Sequence, residues 1–140
     1  MKRVAALGLD IGSKRIGVAG CDGLGLLTTE ITTIERRSFP QDVEQLRQIV
    51  QEREVKVLVV GLPYAPDGTL GKQARTIQKL AQRYSGALNL PVEYVNEQLT
   101  SFAAEEALKA QNISPSRNKA RIDRKAAAII LRQWLDERIP

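Results

Sequence analysis

Three acidic residues stand at the ends of apolar segments, where a charged side chain loses hydration and needs a compensating partner: Asp10, Glu97 and Asp123. Asp10 follows the apolar run 4–9, Glu97 follows the short strand 92–95, and Asp123 heads the apolar stripe of the last helix. Strand ends meet at one edge of an open α/β sheet, so we expect the acids to converge there. Converging carboxylates repel one another unless they are protonated or bind a hard divalent cation. The sequence therefore predicts that these residues bind one or two Mg²⁺ or Mn²⁺ ions.

The composition restricts the chemistry that such a site could perform. The chain has no histidine and one cysteine, which excludes His-based acid–base catalysis, serine triads, His-ligated zinc and a thiolate metal cage. Two divalent ions about 4 Å apart can activate water and stabilise the leaving oxygen of a phosphoryl displacement. The 21 Lys and Arg residues outnumber the 16 Asp and Glu residues, which favours a polyanionic partner such as nucleic acid. Together these features indicate metal-dependent hydrolysis of phosphodiester bonds.

Two of the three acids also have simpler interpretations. Asp10 precedes a tight turn, so its carboxylate could accept hydrogen bonds from turn amides or pair with Lys14 or Arg15. Asp123 could be an acid in the first turn of a helix, where the helix dipole favours negative charge. The residues alone leave both alternatives open.

The elements that must position these acids follow the order βββαβαβαα. A hairpin over 4–21 turns between Gly12 and Gly17, glycines that would let a bulky anion approach the backbone, and a third strand over 26–34 completes a meander. The polar segment 112–122 is predicted to be mobile. Helices between the later strands indicate parallel crossovers in an α/β sheet. The remaining predicted elements are helices over 41–52, 72–84 and 102–111, strands over 55–60 and 92–95, and a helix from near Asp123.

The length of 140 residues suits one domain, and we expect residues 1–140 to fold as a unit. No apolar run approaches the roughly 20 residues of a membrane helix. Cys21 is the lone cysteine and is expected to be a small buried thiol, which suits a reducing compartment. We therefore expect a cytoplasmic protein without membrane contact. The one tryptophan, Trp134, is expected in the core.

Cations and hydroxyls near the predicted site could bind the phosphates of a nucleic acid, although each cation could equally be a solvated surface charge. Aromatic residues are scarce, which favours recognition of backbone or shape over base stacking. The candidates are Ser13, Lys14 and Arg15 at the hairpin, Lys72 and Arg75 on the second helix, Thr100 and Ser101 at the start of the third, and Arg117, Lys119 and Arg121 before the last.

Four segments resemble, in the family's order, the YqgF (RuvX) family of RNase H-like proteins: GLDIGSKRIGVA, VVGLPYAPDGT, VNEQLTS and IDRKAAAIIL. The resemblance implies an RNase H-like fold: a five-stranded mixed sheet in the order 3-2-1-4-5, with an antiparallel second strand and helices on both faces. It implies that Asp10, Glu97 and Asp123 are the catalytic, metal-binding acids. It also implies a bacterial nuclease that matures the 5′ end of 16S ribosomal RNA, with pre-ribosomal particles as partners, or that resolves Holliday junctions in branched DNA.

The chain departs from the family pattern at two places. The family's usual Asp-Glu-Arg around the glutamate reads Asn-Glu-Gln over 96–98 here, which removes one acid and one cation beside the expected metal ligand. Arg124 and Lys125 follow Asp123 where the family commonly has small residues, and we expect their charge to raise the affinity for phosphate.

Two other function classes fit the same residues. The hairpin over 10–19 is similar to the phosphate hairpin of actin and Hsp70 type ATPases, but those proteins clamp ATP between two such domains and this length supplies one. A catalytically idle module could use the basic surface to hold RNA or a ribosomal partner. Among nucleases, a resolvase would need two sites and hence a homodimer, whereas an RNA end-processing enzyme could act as a monomer.

Overall fold

The computed structural model of the chain describes residues 5–21, 27–65, 67–97, 100–112 and 118–138, with backbone only for 100–103 and 105. The predicted order of elements is confirmed. No helix within these ranges is long and apolar enough to span a membrane. The strands are β1 Ala6–Ile11, β2 Arg15–Cys21, β3 Thr28–Glu35, β4 Val57–Leu62 and β5 Val92–Asn96, and the helices are α1 Phe39–Arg53, α2 Lys72–Leu88, α3 Thr100–Ala110 and α4 Lys119–Arg138.

The five strands form one mixed sheet in the order β3-β2-β1-β4-β5, as the resemblance implied. The meander pairs β2 antiparallel with both β1 and β3, because only a few residues of the chain connect these strands. The crossovers through α1 and α2 pair β4 parallel with β1 and β5 parallel with β4. The carboxyl ends of β1, β4 and β5 therefore lie at the same edge of the sheet.

Alternation along the strands divides the core into two layers. On one face, Leu7 and Leu9 of β1 pack with apolar residues of α1 and α2. On the other face, Ala6 and Val59 pack with α4, including Trp134, which is 4% exposed. Cys21 is a buried thiol on this second face, so the expectations for the cysteine and the tryptophan are both confirmed.

The last helix begins four residues earlier than predicted. Its first turn is closed by the Ile122 amide, which donates to the Asn118 carbonyl oxygen at 3.1 Å. The prediction of a mobile segment is therefore wrong for 119–122, while 113–117 lie outside the described residues. This turn carries exposed cations rather than an apolar stripe, so hydropathy patterning could not detect it. Thr33 on β3 fixes the turn, because its hydroxyl donates to the Ala120 carbonyl oxygen (2.6 Å).

Helix α4 approaches the sheet closely because two glycines face it. A Cβ added at Gly8 would lie 2.9 Å from the Ala127 carbonyl oxygen, and one added at Gly17 would collide with the Asp123 carbonyl group. The sequence suggested that an anion could approach the backbone at Gly17. In the structure the main chain of α4 lies there instead. The position of Asp123 over the sheet thus depends on the missing side chain at Gly17.

We predict that Gly17→Ala lowers the free energy of unfolding by about 3 kcal/mol or more, because the new methyl group meets backbone that cannot move aside. Gly20→Ala on the same strand is the matched control. Its Cβ would meet only the end of the flexible Arg53 side chain, so its cost should stay within about 1 kcal/mol. Urea denaturation measures both. Equal effects of the two substitutions would contradict the close approach of α4 at Gly17.

Candidate active site

Asp10 projects from β1 toward α4, at the carboxyl edge of the sheet. Side chains alternate along a strand, so Asp10 shares the face of Ala6, which belongs to the α4 layer. Across the β1–β2 ladder, Asp10 pairs with Gly17, over which the main chain of Asp123 lies. The strand register and the close approach of α4 thus bring Asp10 and Asp123 together.

Glu97 reaches the same point from β5. Its amide extends the β4–β5 ladder by donating to the Leu62 carbonyl oxygen at 3.1 Å. Strand β4 lies between the two strands that carry the acids. A Cβ added at its Gly61 would lie 2.9 Å from Glu97 Oε2. The missing side chain at Gly61 therefore leaves the space in which the carboxyl groups of Glu97 and Asp10 meet.

The carboxyl groups of Asp10 and Glu97 form a partly buried pair joined by a hydrogen bond, in which protonated Glu97 donates to the Asp10 carboxylate. Burial, the Asp10 charge and the hydrogen bond together raise the pKa of Glu97 to about 8, with burial the largest cause. Burial is also the main reason that the pKa of Asp10 is raised to about 6; the hydrogen bond from Glu97 lowers this pKa and the Asp123 charge raises it. Ionising both acids is therefore costly near neutral pH. A divalent cation between them would remove that cost.

Asp123 lies beside this pair, but its carboxylate faces Arg15. Arg15 Nε donates to Asp123 Oδ2 at 2.6 Å, and the two side chains are 26% and 20% exposed, which limits the strength of the ion pair. Within the ranges that the structure describes, no three His, Cys, Asp or Glu side chains are arranged as a metal site. The donor set thus fits a cation at Asp10 and Glu97, with the third acid held next to them by an arginine.

The remaining predicted site residues are distributed around this centre. Lys14 and Lys119 are exposed, at the hairpin turn and at the first residue of α4. Thr100 and Ser101 begin α3, but their side chains lie outside the described residues, as do Gln98 and Arg117. Ser13, Lys72 and Arg75 are exposed at the hairpin and on α2, which packs on the opposite face of the sheet from α4.

Lys125 does not add its charge where the sequence suggested. Its Nζ lies 3.4 Å from Glu30 Oε2 on the edge strand β3. The positive charge after Asp123 is therefore partly neutralised at the sheet edge, away from the acid pair.

A family model described as "RuvX: Holliday junction resolvase" matches residues 4–137. The chain belongs to the RuvX family. It is 65% identical over 137 residues to a protein of Trichormus variabilis, covering 98% of this chain and 91% of that protein. It is 62% identical over 138 residues to one of Crocosphaera subtropica, covering 99% and 96%. Both relatives are named "Putative pre-16S rRNA nuclease".

The fold of this RuvX-family chain is similar to that of a solved resolvase. The structure described as "T. thermophilus RuvC in complex with Holliday junction substrate" aligns with a TM-score of 0.59 at 14% identity, covering 97% of this chain and 96% of that one. A second Thermus thermophilus RuvC structure gives a TM-score of 0.54 at 15% identity. The RNase H-like fold class is thereby confirmed.

On the far side of the hairpin in this RuvX-family member lies a group of four cations, of which sequence reasoning named Lys72 as a phosphate contact and missed the other three. Arg36, Lys72, Lys79 and Arg83 line a cavity of about 770 Å³ between the hairpin turn and α2, which we name the basic groove. Ser13 also lines it, whereas Arg75 is exposed outside it. The spacing of Lys72, Lys79 and Arg83 places them on one helical stripe and was a usable signal; Arg36, from another element, gave none.

We predict that the metal-free protein loses stability as pH rises from about 5 to about 8. The folded state holds protons on Glu97 and Asp10 that the unfolded chain, with ordinary carboxyl pKa values, releases near pH 4 to 5. The stability that these protons contribute is fully present below the carboxyl pKa values of the unfolded chain. It is lost as the pH rises through the pKa values of the folded state. Urea denaturation in a chelator should show a fall of about 2 to 4 kcal/mol.

Glu97→Gln should remove most of this pH dependence, while Glu106→Gln, at an exposed position of α3, should retain it. The interpretation is wrong if Glu97→Gln and the wild type show the same pH profile.

Proposed function

We propose that this chain is a divalent-metal-dependent nuclease that hydrolyses phosphodiester bonds in the 5′ maturation of pre-16S ribosomal RNA. The observation that carries the proposal is the partly buried, hydrogen-bonded carboxyl pair of Asp10 and Glu97 at the edge where parallel strands end. The names of the relatives and the RuvX family model support nuclease activity. The positive net charge of +5 supports a polyanionic substrate.

Asp10 and Glu97 would hold Mg²⁺ or Mn²⁺, as one or two ions, with Asp123 as the third ligand. When bound, such an ion supplies charge neutralisation and Lewis-acid polarisation of a phosphoryl oxygen. Asp123 can join the other two acids only if Arg15 releases its carboxylate, because the two side chains are now hydrogen-bonded. The released guanidinium, fixed at the start of β2, could then bind a substrate phosphate through two parallel N–H donors.

Other residues would bind and orient the RNA without touching the reacting atoms. Lys14 and Lys119 are exposed cations that could contact backbone phosphates near the acid pair. Helix α3 begins at Thr100, so its first amides and the hydroxyls of Thr100 and Ser101 could bind another phosphate. The RNA strand would contact Ser13, Lys72 and Arg75 where it passes the hairpin and α2.

The second candidate function is resolution of Holliday junctions, which the description of the family model and the fold of the RuvC complex favour. It would require two active sites and therefore a homodimer, whereas 5′-end processing could be performed by a monomer. We propose the RNA function because the relatives that are 56–65% identical carry it in their names. In this proposal, residues 1–140 act as one domain on pre-ribosomal particles in the cytoplasm.

We predict that Asp10→Asn lowers Mn²⁺-dependent cleavage of pre-16S RNA by about 10³-fold or more, since it removes a ligand charge worth several kcal/mol in the transition state. RNA affinity should change less than about threefold, because phosphate contacts are retained. The matched control is Asp67→Asn in an exposed loop, which should cleave within about twofold of wild type. Gel assays on precursor RNA and on a four-way DNA junction, run side by side, measure both activities.

Unchanged cleavage by Asp10→Asn would remove this residue from the mechanism. Cleavage of the junction but not of the RNA would replace the proposed function with the second candidate.

We predict that Arg15→Gln raises the affinity for Mn²⁺ by up to about fivefold, because a partly exposed ion pair worth about 1 kcal/mol no longer competes for Asp123. RNA cleavage should nevertheless fall, with the loss mainly in KM, because a phosphate ligand is lost. Calorimetric titration of Mn²⁺ and steady-state kinetics measure the two effects. Weaker Mn²⁺ binding by this variant would show that Arg15 supports the metal site and does not compete with it.

A further inference from the structure

The basic groove lies directly behind the acid pair, on the other face of the sheet. Ile11 follows Asp10 on β1, so its side chain points to the opposite face, where it forms part of the groove floor. Gly12 and Ser13 of the hairpin turn form the end of the groove nearest to the acids. A polymer that passes over this turn could therefore touch the acid pair and the groove at once.

Two of the four cations in the groove are held in place. Arg36 Nη1 donates to the Gly12 carbonyl oxygen at 2.7 Å, which leaves other N–H groups of its guanidinium for a ligand. The Arg83 guanidinium lies 3.9 Å from the centroid of the Phe39 ring, and that ring stacks on Tyr84. These arginines are preorganised, so an anion that binds them would order little side-chain freedom.

The other two cations extend the charge along α2. Lys72, Lys79 and Arg83 follow one stripe of the helix, and the eleven residue steps from first to last span about 16 Å. Lys72 is the first residue of α2, a helix with no acid in its first turn, so the positive end of the helix dipole adds to the charge. No acidic side chain lines the groove among the described residues. Asp42 at the start of α1 is buried and accepts from the Arg37 amide at 3.1 Å.

The floor beneath these cations is apolar. It is formed by Ile11, Ile77 and Leu80, which belong to or border the core of this face. A double helix presents phosphates to such a surface but keeps its base faces stacked inside. An unpaired strand can place phosphates on the cations and base faces on the apolar floor.

We propose that the basic groove binds an unpaired segment of RNA adjoining the bond that is cleaved. The strand passes over the turn at Gly12 and Ser13, with Arg36, Lys72, Lys79 and Arg83 contacting its phosphates. The assignment to RNA next to a cleaved bond rests on the proposed nuclease function. The affinity of the groove for an unpaired polyanion does not, so the two can be tested apart.

The test measures binding alone, in a chelator and in the Asp10→Asn background, by fluorescence anisotropy with a 20-nucleotide single-stranded RNA and a 20-base-pair RNA duplex. The groove variant is Lys79→Gln with Arg83→Gln, two exposed substitutions that leave the Arg36 contact to the turn intact. The control is Lys56→Gln with Lys109→Gln, which removes the same charge from exposed positions outside the groove. Thermal melts verify that both variants fold.

The groove variant should bind the single strand about tenfold more weakly than the control at physiological salt. For the single strand, the slope of log affinity against log salt concentration should be shallower by about 1.4, since two phosphate contacts are lost. Its loss of affinity for the duplex should be about threefold or less. Equal affinities of the groove and control variants for the single strand would overturn the proposal. An equal loss on the duplex would overturn it too, because the groove would then not distinguish unpaired RNA.

The cleavage assay of Asp10→Asn reports separately on the nuclease function. If the protein never cleaves RNA but the groove variant loses affinity for the single strand, the groove proposal stands and the proposed nuclease function is wrong. If the protein cleaves RNA but the groove variant keeps its affinity for the single strand, the nuclease function stands and the groove proposal is wrong.

Discussion

Two partly buried carboxyl groups held against each other impose the central constraint on this molecule. Asp10 and Glu97 come from strands separated by β4, and they meet because Gly61 has no side chain to keep them apart. Water would solvate each acid better than this site does, so the pair persists only by sharing a proton or a cation. The fold holds the two carboxyl groups together at the strand ends. Ionising both without a bound cation is therefore costly, and the arrangement suits a divalent ion.

Helix α4 completes the site through backbone contact. Gly8 and Gly17 let its N-terminal half lie directly on β1 and β2, and this brings Asp123 beside Asp10. The ion pair with Arg15 then balances the third acid while no cation is shared. In the proposed function, Arg15 and a metal ion would compete for one carboxylate, so the same side chains would contribute to stability in one state and to catalysis in the other.

Much of this arrangement could be predicted from the sequence. Apolar runs defined the strands, the hairpin and helical connections indicated their directions, and strand ends placed Asp10 and Glu97 at one edge. The Arg15–Asp123 pair could not be predicted, because its residues are 108 positions apart and pairing depends on how closely α4 packs. The start of α4 was missed because its first turn has no apolar stripe, and the groove because Arg36 and α2 meet only in the folded chain.

The most direct test of the central claim is a crystal structure of the protein grown with Mn²⁺ near pH 8, with anomalous scattering used to locate the metal. We predict an anomalous peak between Asp10 and Glu97, within about 2.3 Å of an oxygen of each, with the hydrogen bond between them broken. A peak elsewhere, or an intact hydrogen bond between these two carboxyl groups at saturating Mn²⁺, would contradict the account.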